Sequence, residues 1–203
     1  MTTAGQNPTA TQVQALWAYM TQHFGSSVIN KANAVEMKVV SALLGQLGIL
    51  DQTEFLTNYA TTIGTRIYLP FTPGTPITGW DLWEQIVVCA HEHQHVYQAQ
   101  TLGLATYGAR YLFSSSTRAD YEAEAYRSAF ELGWWHARSM PDPEAIAELL
   151  SGYSVSPTDI EVTAATLRES ADSIREGAIV NHATEVAIGW LNAHAPALRA
   201  VGV

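Results

Sequence analysis

Cysteine is almost absent from this chain: Cys89 is the only one among 203 residues, which excludes an intramolecular disulfide and leaves the fold to burial alone. Positive charge is scarce as well. Ten Lys plus Arg stand against 19 Asp plus Glu, giving a formal net charge of -9, so the chain lacks the basic footprint that nucleic acid or an anionic membrane surface requires. Long apolar runs are missing too. The longest, Val35 to Leu50, is interrupted by Glu36, Lys38 and Gln46 and is too short to cross a bilayer. The start, Met1 to Asn7, carries neither a basic cluster nor an apolar stretch of the kind a secretory signal needs. These absences lead us to expect a soluble protein, cytoplasmic by default, with a bacteriophage product or a chain exported by a non-classical route as the other settings. No repeat or low-complexity tract is present. With 47% hydrophobic residues the chain can bury a sizeable core, and one domain over 1–203 is the simplest expectation.

Against that background one segment carries chemistry. His91-Glu92-His93-Gln94-His95 follows Ile86-Val87-Val88-Cys89-Ala90 and precedes Val96-Tyr97, and no Pro or Gly interrupts Trp80 to Leu102. Apolar residues on much of the circumference predict a buried helix. His91 and His95, four apart, then share a face and can aim both imidazoles at one ion. Glu92 is rotated by about 100° and reaches a water held by that ion. His93, rotated by about 200° from His91, faces elsewhere, toward the far wall of a cleft or solvent. Cys89 also points away and is expected to pack as a small hydrophobe. The plainer alternative is that these histidines merely satisfy one another in a core.

Two histidines do not complete a catalytic metal site, which usually takes three protein ligands. Downstream, Tyr121-Glu122-Ala123-Glu124-Ala125-Tyr126 lies in a helix-favouring run from about Arg118 to Arg138. Glu122 and Glu124 are about 200° apart on such a helix, so only one can face the ion. Here the chain resembles the gluzincin metallopeptidases, in which H-E-x-x-H on one helix is joined by a Glu from a following helix, often within E-x-x-A-D. The match puts Glu122 on the metal and Ala125 at the small position; Tyr126 stands where those proteins have Asp. Gln98 fits the extended form H-E-x-x-H-x-x-Q. The resemblance implies an α+β, predominantly helical, zincin-like domain holding Zn2+ through His91, His95 and Glu122. Glu92 would be the general base of peptide hydrolysis, and the Tyr126 hydroxyl would serve a ligand or the oxyanion. It also implies a peptide or protein substrate that pairs along a strand preceding the metal helix. Thr61 to Pro70 supplies a β-rich segment in which Ile67 and Leu69 alternate with Arg66 and Tyr68, as in a half-buried strand.

Around this metal-site core, about 61–138, we expect N-terminal helices within 9–60 and C-terminal helices within 143–196. Thr9 to Phe24 and Asn30 to Leu47 show helical spacing, with a break at Gly25. Asp51-x-x-Glu54 and Thr158-x-x-Glu161 read as capping boxes, the second before a long helix ending near Ala195. Tyr107, His136 and His182 join Tyr126 as candidate oxyanion donors, and Trp134-Trp135 reads as packing. Two other functions fit the motifs: a non-catalytic zinc protein of a larger assembly, and a helical-bundle di-metal protein built on Glu92-x-x-His95. The latter needs a second E-x-x-H, which the sequence lacks.

Overall fold

The computed structural model describes residues 3–34 and 59–201. The expected capping box at Asp51 and most of the helix expected from Asn30 to Leu47 lie outside them.

Helix α1 (Ala10–Phe24) begins at Thr9, whose side chain and that of Gln12 cap each other, and ends at Gly25 in the left-handed region. Its apolar stripe of Val13, Leu16, Trp17, Met20 and Phe24 is buried. The chain then turns into strand β1 (Ser27–Asn30) and a short 3-10 turn, Lys31–Asn33, where helical spacing had predicted the start of a helix. Two more strands follow, β2 (Thr61–Ile63) and β3 (Arg66–Leu69). They form a hairpin through Gly64 and Thr65, with Gly64 at φ 62 supplying the conformation a two-residue turn demands. The sheet order is β1-β3-β2, with β1 parallel and β2 antiparallel to β3. The segment read as one half-buried strand is therefore two. Ile67, Tyr68 and Leu69 are all buried because β3 is central, and among the described strands β1 and β2 are the edges.

Helix α2 (Leu82–Leu102) is the axis of the molecule, capped reciprocally by Asp81 and Glu84. Its interior faces meet α1, then α3 (Leu104–Phe113), α4 (Ser115–Ala137) and α7 (His182–His194). One core joins Leu16, Trp17, Ile67, Leu69, Ile86, Val96, Leu132 and Leu191 across these elements. Being buried nearly all round, α2 must satisfy its polar residues internally. Gln85 does so by accepting from Gly74 N–H at 2.8 Å and donating to the carbonyls of Thr75 and Trp80 at 3.0 and 3.1 Å.

The C-terminal third departs from expectation. Helix α5 (Pro143–Glu148) is followed by α6 (Pro157–Arg175), which starts at the cap Ser156 with Pro157 at its first position; Thr158 does not cap it. The predicted long helix breaks after Arg175, where Gly177 takes φ 100. Glu131 of α4 accepts from the backbone N–H groups of Val180 and Asn181 at 2.8 and 3.2 Å, and the Asn181 side chain starts α7 by capping Thr184 N–H at 2.9 Å. A tertiary carboxylate thus claims donors that helix continuation would have used.

Candidate metal centre

Helices α2 and α4 cross so that three side chains converge. His91 and His95, one turn apart on α2, bring their Nε2 atoms to 3.2 Å, and Glu122 Oε2 of α4 lies 3.6 Å from the first and 3.5 Å from the second. At these lengths the imidazoles make no good hydrogen bond to the carboxylate. Glu122 Oε2 is buried and has no hydrogen-bond partner among the described residues. An ionised oxygen in that condition costs several kcal/mol unless a cation meets it. A small cation with bonds of about 2.0–2.1 Å and tetrahedral geometry spaces its ligand atoms about 3.3–3.4 Å apart, and the three separations here, 3.2, 3.5 and 3.6 Å, bracket that spacing. The His91–His95–Glu122 group can therefore hold a metal ion.

The electrostatics agree. Burial works to lower the pKa of His95, but the charge of Glu122 outweighs it and raises the value to about 9. Burial pushes Glu122 up, yet the neighbouring His95 and His91 hold it well below the usual carboxylate range. Each shift states the same preference for positive charge beside a carboxylate.

Surrounding side chains fix the ligands. His95 Nδ1 lies 2.9 Å from Gln98 Oε1, so its N–H donates there and Nε2 keeps a lone pair that could take an ion. Gln98 in turn donates to Tyr121 O at 3.0 Å and to Glu124 Oε2 at 2.7 Å, and Gln94 donates to Glu124 Oε1 at 2.9 Å. Glu124 thus faces α2 without reaching the metal position; it anchors the two glutamines. Tyr111 of α3 donates to Glu122 Oε1 at 2.6 Å, and Tyr107 Oη lies 3.1 Å from His95 Nδ1. The periodicity assigns no element to residues 103–113. The signal for α3 was Tyr107 and Tyr111 at helical spacing, followed by the capping residue Ser114.

Glu92, buried at 3% exposure, accepts from the Thr62 hydroxyl of β2 at 2.7 Å on Oε2. It sits on the wall between two cavities. The smaller, about 280 Å³, lies between β2 and α3; the larger, about 790 Å³, opens toward Trp80, Trp83 and Met140. His91, Glu92 and Tyr153 border both. Lys31, buried and pulled down to about 8 by burial against an opposing effect of Glu92's charge, donates to Thr61 at 2.9 Å beside this wall.

The other candidates disperse. Tyr126 packs its ring edge-to-face on His91 at 4.7 Å, and its hydroxyl engages Tyr153. His136 stacks on Trp83 at 3.8 Å and borders the larger cavity. His182 lies among Tyr97, Phe24 and His23, bordering neither cavity. His93, expected at a cleft wall or in solvent, is fully buried: it donates from Nδ1 to Cys89 O at 2.7 Å, and Ser26 reaches Nε2 at 3.0 Å. The break at Gly25 brings Ser26 under the helix, which sequence spacing alone does not reveal. Trp135 is core, donating to Asn192 at 3.1 Å.

Compared with family models, curated proteins and solved structures, the chain finds no match.

Proposed function

We propose that this protein is a zinc-dependent peptidase, with His91, His95 and Glu122 holding the ion and Glu92 acting as general base. The observation that carries the reading is the unpartnered buried Oε2 of Glu122 set at tetrahedral spacing from two Nε2 atoms, beside a second carboxylate that faces two cavities. Two imidazoles and one carboxylate form a donor set that suits zinc and leaves a fourth position open. When bound, zinc would lower the pKa of a water at that position to about 7 and polarise the scissile carbonyl.

The chain's own residues supply the rest. Thr62 holds Glu92 Oε2, and among the described residues no hydrogen bond engages Oε1, which is free to take a proton from the attacking water and return it to the leaving nitrogen. Tyr126 remains a phenol, since burial and the charge of Glu122 push its pKa up, and its hydroxyl pairs with Tyr153, which borders both cavities; this pair is the proposed donor to the developing oxyanion. β2 is the proposed edge for an extended peptide.

Elemental analysis of the purified protein tests the centre. One zinc per chain, lost in Glu122→Ala and kept in Glu124→Ala, is expected; two irons per chain would instead favour the di-metal bundle. Glu92→Gln should keep zinc and lose peptide cleavage by about 10²–10⁴-fold, whereas His95→Ala should lose both. Undiminished cleavage by Glu92→Gln would refute the base.

A further inference from the structure

We propose that the smaller cavity selects the substrate, taking one bulky apolar side chain next to the scissile bond, and that helix α3 sets this preference. This rests on the peptidase reading for the reaction it serves. The cavity shares His91, Glu92, His95 and Glu122 with the metal centre, so whatever fills it lies beside the reacting bond. Its volume is about 280 Å³. A dry cavity of about 150 Å³ holds benzene, and drug-sized ligands need about 300 Å³ or more, so the space suits one large side chain.

Its walls choose the chemistry. Across from Glu92 stand Ile63 on the hairpin and Leu104, Tyr107 and Leu112 on α3. Among the described lining residues there is no Lys or Arg, and the carboxylates are the two of the centre, Glu92 held by Thr62 through Oε2 and Glu122 held by Tyr111. An acidic side chain would meet like charge, and a basic one would lose its water and pair with Glu92 Oε1, the oxygen that the reaction needs free. An apolar side chain loses nothing there. At one end the hairpin approaches α3 closely: a Cβ on Gly64 would meet Leu104 Cδ1 at 3.3 Å.

Gly108 makes the room. It lies in the middle of α3 and borders the cavity, and a Cβ placed on it would meet nothing within 4 Å. A mid-helix glycine costs about 1 kcal/mol relative to alanine, so here lost helix stability coincides with an open chamber.

The test is NMR titration of the zinc-loaded protein with N-acetylphenylalaninamide and N-acetylalaninamide, alongside cleavage of a mixed peptide library. Wild type should bind the phenylalanine amide about tenfold tighter or more, and cut next to Phe, Tyr or Leu. Gly108→Ala should keep that preference. Gly108→Phe, filling the chamber, should lose it, hold zinc as before and shift cleavage toward Gly and Ala. Equal binding of the two amides by wild type, or an unchanged preference in a folded Gly108→Phe, overturns the proposal. Discriminating binding without any cleavage would instead remove the peptidase reading and leave the chamber's preference standing; cleavage without amide preference would do the reverse.

Discussion

Two carboxylates on one helix, Glu122 and Glu124, have opposite fates decided by a few ångströms. Glu122 is sealed at 2% exposure against two imidazoles, while Glu124 receives Gln94 and Gln98. Their loss should differ accordingly: Glu122→Ala removes a proposed ligand, whereas Glu124→Ala should loosen Gln98 and through it His95, weakening zinc affinity by about 10–100-fold in a competition titration against a chelating dye. Equal zinc affinity in Glu124→Ala and wild type would deny that anchoring role. Thr62 is the positioning residue for Glu92, since its hydroxyl is the donor at 2.7 Å. Thr62→Val should keep zinc yet lower kcat by up to about 10²-fold with little change in KM, and Thr62→Ser should restore it. A purely structural role for Thr62 would not show rescue by serine.

At the scale of elements, the joint between α6 and α7 depends on α4. Glu131 is buried, accepts from Arg127 at 2.9 Å and from two backbone N–H groups of the joint, and Arg127 continues to Ser170 of α6 at 2.9 Å. Glu131→Ala leaves a half-buried guanidinium and two amides without their acceptor, and should destabilise the protein by about 3 kcal/mol in urea unfolding. A loss under about 1 kcal/mol would mean that water replaces the carboxylate. Helices α1, α2 and α4 were legible because their apolar spacing is a property of each segment. Helix α3 was not: the periodicity assigned no element to residues 103–113, and the helix is held by packing such as Tyr107 stacking on Tyr121 of α4 at 4.9 Å. Strand β1 was illegible for the same reason, as its four residues acquire a partner only when β3 lies beside them.

For the whole molecule, the buried His93 ties stability to pH. Burial is the main cause that lowers its pKa from 6.5 to about 4, with the Cys89 carbonyl opposing and the charge of His23 adding to it. The unfolded chain therefore binds the proton first, so this contribution is complete above pH 6.5 and is lost as pH falls toward 4. The expected loss is about 1.4 kcal/mol per pH unit at most, or about 3 kcal/mol across the window. Any bound metal is to be removed by a chelator, so that His91, His95 and Glu122 do not add their own proton release. His95, raised to about 9, acts above pH 6.5 and in the opposite sense, so the two windows separate. Urea midpoints that stay level between pH 6.5 and 5, or that fall as steeply in His93→Gln, would contradict this assignment.

What the sequence determined by itself is the turn of α2 that carries His91, Glu92 and His95, because a helix of period 3.6 sets the relative directions of neighbours wherever it is placed. The helical character of α1 and α4 and the two competing acids follow from the same local rule. Tertiary structure decided the rest. Which acid meets the histidines depends on how α2 and α4 cross, the chamber beside Glu92 exists only where a hairpin meets α3, and the tyrosines touching His95 and Glu122 arrive on a helix that is stable only when packed. These are relations between distant segments, and no periodicity within a segment encodes them.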